Sequence, residues 1–280
     1  MIVGSTLVLA QEAVRNVGPL TVSGLRFMLA ALLLAPFAFR RLRTTRLPRS
    51  VWRRLIIVGI SFYVVGNGAL FWGVKYIPST TASLLLNVIP LLVLGASVVW
   101  LKEAPTRWQV LGVLTVIGGG VLFFMPGLQP GEPLGIGLVA VGLVGIASFS
   151  VIGRELARDR VVDTLCLTAV PLTIGGVILL PVALSMEGIP SISLRMWLII
   201  AILSVVNTAA AYLLFNHVLR ALAALEVSVV LSLSPLVTAF WAWLLLGDRL
   251  GTVPIIGMAI VVVGVVIVQL TRRRRATGFD

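Results

Sequence analysis

The chain repeats one segment at a fixed distance of 145 residues. Residues 80–122 and 225–267 share an apolar run containing a proline, an acidic turn, and a second apolar run with spaced glycines. The matched pairs need no gap and are Ser83/Ser228, Leu86/Leu231, Pro90/Pro235, Leu101/Leu246, Glu103/Asp248, Gly112/Gly257 and Gly119/Gly264. Because the period is about half of the chain, the pattern indicates a duplicated unit and not a solenoid of short repeats.

Most of the chain is apolar enough to lie in a membrane. Hydrophobic residues make up 59% and charged residues 11%, against about 45–50% and about 25% in a typical soluble domain. A helix needs about 20 apolar residues to cross the hydrocarbon core. Eight stretches satisfy this without a charged residue: 55–74, 79–101, 108–128, 134–153, 164–186, 196–216, 227–247 and 250–271.

Two weaker stretches precede these eight. Residues 20–39 are interrupted only by Arg26, and residues 1–16 are short and carry Glu12 and Arg15. We expect the first of the ten helices either to be tilted into a thin region or to begin upstream of Met1. The sequence predicts an all-α integral membrane protein with ten transmembrane helices.

The distribution of basic residues predicts the orientation. If both termini are cytoplasmic, most of the 22 Lys and Arg residues lie on the cytoplasmic side, as the positive-inside rule requires. The five basic residues predicted to lie on the outer side of the membrane, or near that side within a helix, are Arg15, Arg26, Lys75, Arg195 and Arg249. Five helices per half then force the second copy to enter from the opposite face, which predicts two inverted five-helix repeats.

The predicted repeats comprise residues 1–128 and 129–271, joined by the Pro-rich and Gly-rich segment 126–133 and followed by a basic cytoplasmic tail at 272–280. The longest predicted loop, 40–54, is basic and too short for a soluble catalytic domain. Cys166 is the single cysteine and His217 the single histidine, so we expect no disulfide framework, metal site or cofactor. The net charge of +12 fits basic loops and a tail on anionic lipid better than nucleic-acid binding.

Polar residues within the helices are expected to face protein or a water-filled cavity. Four helices carry such faces and form two repeat-related pairs, which predicts a central cavity between them. The predicted substrate-binding residues are Tyr63, Asn67, Trp72, Ser83, Asn87, Asn207, Tyr212, Asn216 and Ser232. Pro90 and Pro235 are predicted hinges, because each removes a backbone hydrogen bond at the same place in its repeat.

Each of these residues also has a structural interpretation. Hydroxyl groups can bond to their own helix backbone, amides can bond between helices, and aromatic rings can lie in the interfacial belt. A charge or coupling role is considered for Gln11, Glu12, Arg26 and His217. Arg26 can extend outwards to the membrane surface, attract an anionic substrate group or pair with Glu12. His217 can be a proton-coupling group, but a hydrogen-bonded interface histidine is the favoured interpretation.

The proline, acidic turn and spaced glycines of each half resemble the EamA type of the drug/metabolite transporter superfamily. Val3-Gly4-Ser5 is similar to the Trp-Gly-Ser motif of that family's first helix, and Leu25-Arg26-Phe27 matches the usual opening of its second. The chain departs from the pattern at its start, which we expect to be shortened by about half a helix, and in having Asp248 where Glu is commoner. Within the superfamily it most resembles the bacterial amino-acid exporters of the YddG kind.

The resemblance implies a secondary transporter in the bacterial inner membrane, with both termini cytoplasmic, that exports small metabolites by alternating access through the central cavity. Amino acids, aromatic or otherwise neutral, are the favoured substrates, and drugs or other metabolites are the alternative. An integral-membrane enzyme or a channel is the alternative from another class. The expected partners are a small-molecule substrate and membrane lipid, without nucleic acid, and the expected state is a monomer.

Overall fold

A computed structural model describes residues 17–44, 47–129, 131–158, 162–246 and 251–276. Within these ranges the chain forms helices and no strand. We number the helices in chain order: α1 Pro19–Thr44, α2 Arg49–Gly73, α3 Thr80–Leu101, α4 Arg107–Gly127, α5 Pro133–Arg158, α6 Thr164–Glu187, α7 Leu194–Val218, α8 Ala224–Leu231 with Ser234–Leu246, and α9 Thr252–Ala276. These nine correspond to the second to tenth predicted helices, and the first, at 1–16, lies outside the described residues.

Eight of the described helices are long and apolar enough to cross a membrane, and α8 contributes a shorter apolar segment, Ala224–Phe240. The predicted loop at 40–54 is mostly helical, because α1 continues to Thr44 and α2 begins at Arg49. Arginine is a good helix former, so the arginines that mark the end of the hydrocarbon core do not end the helices. The connection is therefore much shorter than the sequence predicted.

The described chain forms two compact units, and each unit takes segments from both halves of the sequence. The first unit combines the described residues of Met1–Trp72 and Ile152–Ala221, and the second combines those of Gly73–Val151 and Leu222–Asp280. Helices α1, α2, α6 and α7 thus belong to the first unit, apart from the last residue of α2. Helices α3, α4, α8 and α9 belong to the second, and α5 contributes to both.

The first unit is built around the close contact of α1 with α6. A Cβ atom added to Gly24 would lie 2.9 Å from the Cα atom of Leu180, and one added to Gly176 would lie 3.0 Å from the backbone nitrogen of Met28. Residue numbers rise along one helix as they fall along the other, so the pair is antiparallel. Small residues permit this approach of two backbones in a membrane.

Glu187, the last residue of α6, lies at the start of α1, at one end of the contact between the two helices. Its carboxylate accepts hydrogen bonds from the backbone N–H groups of Leu20, at 3.1 Å, and Thr21, at 2.8 Å. These are N–H groups of the first turn of α1, which have no partner within their own helix. The negative charge also lies at the positive end of the α1 dipole, so the side chain stabilises the start of α1.

Two wide helical turns occur at equivalent places in the repeats. Gly59–Gly66 in α2 and Leu203–Ala210 in α7 are π-helical and differ by about the 145-residue repeat distance. The π segment of α2 packs on α6, and that of α7 packs on α1. Since π segments are rare and often lie at functional sites, their repetition directs attention to these two helices.

The second unit is built around α4 and α9. A Cβ atom added to Gly112 would lie 2.9 Å from the carbonyl oxygen of Gly264, and one added to Gly119 would lie 2.8 Å from that of Gly257. Shifting the first pair by 145 residues, and exchanging the two helices, gives the second pair. The two helices are antiparallel, and the repeat operation converts one glycine contact into the other. Two inverted copies of one segment produce such a symmetric contact.

Helices α3 and α8 are interrupted at the same repeat position. The first segment of α3 ends before Asn87, and a new one begins at Ile89. In α8 the corresponding break lies between Leu231 and Ser234. Pro90 and Pro235 therefore stand at the start of the second helical segment, where a missing N–H is tolerated, and not within an unbroken helix as the sequence suggested. Their role as hinges stays a prediction.

Candidate functional site

Arg26 on α1 and Thr208 on α7 form the central polar contact of the first unit. The guanidinium Nε and Nη2 atoms donate to the Thr208 hydroxyl oxygen at 3.3 and 3.2 Å. That hydroxyl donates in turn to the carbonyl oxygen of Leu203, at 3.3 Å, within the π segment. The side chain of Arg26 is therefore directed to α7 inside the unit and does not extend outwards to the membrane surface.

Four aromatic rings from three helices pack together in the same unit. Tyr63 lies edge to face with Phe27, Phe62 and Tyr212, with ring centroids 4.9, 4.7 and 5.6 Å apart. Phe62 also meets Tyr212 at 5.6 Å. Edge-to-face packing is the preferred arrangement of aromatic pairs, so these rings fix α1, α2 and α7 against one another.

Tyr63 and Tyr212 have different positions in this cluster. Tyr63 is fully buried, and its ring occupies the space that a Cβ atom on Gly175 would need. Tyr212 is half-buried and interacts electrostatically with Arg26. Tyr63 is thus a packed support, whereas Tyr212 and Arg26 present a phenol and a guanidinium at membrane depth.

We call Arg26, Tyr63, Thr208 and Tyr212 the arginine–tyrosine cluster. A guanidinium carries five N–H donors in a planar fork that matches a carboxylate, and Thr208 engages two of them. Among the described residues no carboxylate pairs with Arg26. The predicted pairing of Arg26 with Glu12 involves a residue outside the described ranges, as does any role of Gln11. The cluster can therefore bind an anionic group beside an aromatic surface.

Two of the predicted amide ligands, Asn67 and Asn216, form hydrogen bonds within the first unit. Asn67 donates to the carbonyl oxygen of Phe62 at 2.8 Å, inside the α2 π segment. Asn216 is fully buried and donates to the Thr168 hydroxyl at 3.0 Å, which links α7 to α6. Hydrogen bonding by the protein itself thus explains why these amides are tolerated at membrane depth.

Asn87 and Ser232 occupy the breaks of α3 and α8 in the second unit. The Asn87 amide donates to the carbonyl oxygens of Val116 and Ile117 at 3.3 and 3.4 Å, so it ties the break of α3 to α4. Ser232 donates to the carbonyl oxygen of Ser228, at 3.3 Å, in its own helix. Both side chains stabilise the breaks in the structure.

The other predicted residues are more exposed. Asn207 is exposed beside Thr208, Trp72 is 40% exposed at the end of α2, and Ser83 is half-buried in α3. His217 is exposed near the end of α7. The structure therefore brings Tyr63 and Tyr212 together with Arg26, and places Ser83, Asn87 and Ser232 in the other unit.

Sequence reasoning did not select Thr208 as a site residue. The signal was present, because Ser204, Thr208, Tyr212 and Asn216 recur every four residues and so share one helical face. What the sequence lacked was the pairing of α7 with α1, which brings Thr208 to Arg26. Within the described residues, no group of three His, Cys, Asp or Glu side chains is placed to hold a metal ion.

The family model of the EamA-like transporters matches residues 1–125 and 133–270. The chain belongs to the EamA-like transporter family. It is therefore a multi-pass membrane transporter and not an enzyme, which confirms the resemblance to the EamA type of the drug/metabolite transporters. Similarity to the YddG kind in particular stays a prediction.

Relatives in several organisms match over most of their length. The chain is 29% identical over 264 residues to an uncharacterized transporter of Archaeoglobus fulgidus, covering 93% of this chain and 92% of the relative. It is 26% identical over 274 residues to the uncharacterized transporter YyaM of Bacillus subtilis, covering 94% and 88%. An S-adenosylmethionine/S-adenosylhomocysteine transporter of Chlamydia trachomatis is 26% identical over 257 residues, covering 87% and 78%.

A solved crystal structure supports the fold. It superposes with a TM-score of 0.81 at 21% identity and covers 98% of this chain and 94% of its own. At that identity the likeness concerns the arrangement of helices alone.

Proposed function

We propose that this transporter exports small metabolites bearing a carboxylate, amino acids foremost, by alternating access. The observation that carries the proposal is Arg26, held at membrane depth by Thr208 beside the Tyr212 ring. Charged side chains within membrane helices are costly and generally serve a substrate or ion pathway. An α-carboxylate would take the remaining guanidinium donors, and the Tyr212 ring, supported by Tyr63, would pack against the substrate side chain.

Within the described helices, the position of Arg26 at membrane depth favours a substrate with one carboxylate over a phosphate ester. A multiply charged substrate would require several Lys or Arg side chains in the binding region, and within the described part of the helices Arg26 stands alone in this position. The same chemistry fits a larger substrate with an amino-acid end and an aromatic ring. S-adenosylmethionine has both, so the name of the chlamydial relative gives a second candidate substrate.

The proposed mechanism uses the inverted repeats 1–128 and 129–271. The breaks in α3 and α8, followed by Pro90 and Pro235, are the points where those helices would bend as the cavity changes its access. Both termini are proposed to be cytoplasmic in a bacterial inner membrane, and the working unit is proposed to be a monomer.

Counterflow into proteoliposomes tests the proposal. The purified protein is reconstituted with unlabelled amino acid inside, and entry of the labelled amino acid is followed, in parallel with S-adenosylmethionine. We expect saturable counterflow for at least one substrate carrying an α-carboxylate. Its absence for every amino acid and for S-adenosylmethionine would refute the proposed substrate class, whereas flux that does not saturate would indicate a channel.

Variants assign the role of Arg26. Arg26→Gln should raise the apparent KM about tenfold or more, because a charge-assisted hydrogen bond contributes roughly 1.5–3 kcal/mol. Thr208→Val keeps the side-chain shape, removes the oxygen that positions the guanidinium, and should have a smaller effect in the same direction. Arg49→Gln, at an exposed arginine at the start of α2, is the matched control and should leave KM unchanged. Equal KM values for Arg26→Gln and Arg49→Gln would exclude Arg26 from substrate binding.

A further inference from the structure

Asn67 and Thr208 each form a hydrogen bond to a carbonyl group five residues earlier in their own helix. The Asn67 amide donates to Phe62 at 2.8 Å, and the Thr208 hydroxyl donates to Leu203 at 3.3 Å. Thr115 in α4 shows the ordinary reach, because its hydroxyl donates to the carbonyl four residues earlier. Five residues is the spacing of the backbone bonds in a π-helix. Both long-reaching bonds therefore lie across the wide turns of the two π segments.

The backbone of Asn67 bonds to the same carbonyl group as its side chain. Its N–H donates to the Phe62 oxygen at the end of the α2 π segment. A carbonyl oxygen has two lone pairs, so it can accept both donors of Asn67. In an α-helix, residues three or four apart share a face and residues five apart do not. The amide would therefore lose this partner if the wide turn became an α turn.

The two repeats place the same two kinds of residue in opposite order. At the repeat distance of 145 residues, Tyr63 corresponds to Thr208 and Asn67 corresponds to Tyr212. Each repeat thus has one side chain that bonds to its own backbone and one tyrosine, at the same two positions one turn apart. The two tyrosine rings meet with centroids 5.6 Å apart. This pattern indicates that the polar group shapes the helix and that the tyrosine provides the aromatic contact.

The carbonyl group that Asn67 engages belongs to a residue of the aromatic packing. The Phe62 ring lies 4.7 Å from the Tyr63 ring and 5.6 Å from the Tyr212 ring, centroid to centroid. The start of α2 is anchored separately, because Leu55 is fully buried. Conversion of the π turn to an α turn would change the helical register by one residue, which is about 100° of rotation. The rings and the start of α2 could then not all keep their contacts.

We propose that Asn67 is a positioning residue of the substrate site. It holds the α2 π segment and thereby the Phe62 and Tyr63 rings. These rings keep the Tyr212 ring in place beside Arg26. The amide itself does not contact the substrate. This role rests on the proposed function, in which Arg26 and Tyr212 bind the substrate.

Two substitutions separate positioning from contact with the substrate. Asn67→Val and Asn67→Thr introduce β-branched side chains of the same shape, which differ in one hydroxyl group. Threonine makes the five-residue bond in α7, at Thr208, and should make it at position 67 as well. We expect Asn67→Val to raise the apparent KM of counterflow about three- to tenfold, the effect of one hydrogen bond, and to change the maximal rate less. Asn67→Thr should keep the wild-type KM, although it lacks the amide.

Thr115→Val is the matched control, because it removes a hydroxyl that bonds to its own helix in the second unit. It should leave the KM unchanged. Equal KM values for Asn67→Val and the wild type would overturn the proposal even if the variant melted earlier, since Asn67 would then have a structural role only. An equal rise of the KM in both Asn67 variants would also overturn it, because the amide itself would then contact the substrate.

Pulsed electron paramagnetic resonance tests the hold on the π segment without any substrate. Spin labels are attached at Arg53→Cys and Lys75→Cys, exposed positions near the two ends of α2. A Cys166→Ala background leaves no other cysteine. The labelled positions lie about 33 Å apart along the helix. We expect Asn67→Val to shift or broaden the distance distribution and Asn67→Thr to preserve it, and an unchanged distribution in Asn67→Val would overturn the proposal.

The two measurements distinguish a failure of this proposal from a failure of the proposed function. Absence of counterflow for every amino acid and for S-adenosylmethionine would refute the proposed substrate class, and the label distances would decide separately whether Asn67 holds the π segment. Saturable counterflow with an unchanged KM in Asn67→Val would support the substrate class and remove Asn67 from the site.

Discussion

The glycine contact between α4 and α9 makes a quantitative prediction about two neighbouring residues. Gly119 faces α9, and a Cβ atom there would lie 2.7 Å from the backbone nitrogen of Val261 and 2.8 Å from the carbonyl oxygen of Gly257. Gly118, the adjacent residue, has nothing within 4 Å of an added Cβ. Gly119→Ala and Gly118→Ala thus make the same chemical change in two different environments.

The magnitude follows from the contact distances. To restore an ordinary contact the helices must separate locally by about 0.7 Å, a gap that forfeits roughly a quarter to a half of the dispersion energy between them. Overpacking of this kind costs about 1–3 kcal/mol, and the higher helix propensity of alanine offsets up to about 1 kcal/mol of it. We expect Gly119→Ala to lose about 1–2 kcal/mol and Gly118→Ala to gain up to about 1 kcal/mol.

Thermal unfolding in detergent, followed by tryptophan fluorescence or circular dichroism, measures the difference. A change of 1 kcal/mol moves the midpoint by about 2–4 °C for a chain of this size, so the two variants should differ by several degrees. Gly119→Ala combined with Gly257→Ala should cost less than the sum of the two, because the helices separate only once. Equal midpoints for Gly118→Ala and Gly119→Ala would refute the close contact of α4 with α9.

Three further predictions concern the remaining contacts. Glu187→Ala should lower the unfolding free energy by about 1–2 kcal/mol, as the loss of a helix cap does, and it should increase hydrogen exchange in the first turn of α1; unchanged exchange there would contradict the cap. Asn87→Leu should lower the unfolding free energy by about 0.5–1.5 kcal/mol in the same melting assay, because it removes the hydrogen bonds to α4. A melting midpoint at or above that of the wild type would show that those bonds do not stabilise the protein. Gly175→Ala should displace the Tyr63 ring and raise the apparent KM for counterflow. Gly137→Ala is the control, because an added Cβ there has nothing within 4 Å. An unchanged KM in both variants would show that Tyr63 does not support substrate binding.

Some of this structure could be predicted from the sequence because the signals are local. The length of an apolar run sets a membrane helix, and the spaced glycines that match between the halves, Gly112 with Gly257 and Gly119 with Gly264, mark surfaces of close packing. The inverted arrangement followed from an odd number of helices per repeat together with the distribution of basic residues. None of these inferences needs knowledge of which helix contacts which.

The candidate site could be predicted only in part, because it depends on tertiary contacts. Tyr63, Tyr212 and Arg26 were selected as polar groups at membrane depth, but their convergence requires α1, α2 and α7 to meet. The role of Asn216 as a ligand stays a prediction. Its amide nitrogen donates to Thr168, and an amide that binds substrate and one that binds another helix have the same sequence signature. The π segments also carry no pattern of their own, because one extra residue per turn leaves the apolar composition unchanged.

The arrangement of the glycines has a consequence for how such a chain can vary. The two glycine contacts between α4 and α9 are repeat copies of each other: Gly112 faces Gly264, and Gly257, the repeat mate of Gly112, faces Gly119, the repeat mate of Gly264. A half-length polypeptide inserted into the membrane in both orientations would make both contacts with a single sequence, and one substitution would then alter the interface twice. Joining the halves in one chain releases that constraint, so each glycine can be exchanged alone and each side of the transporter can be adapted separately.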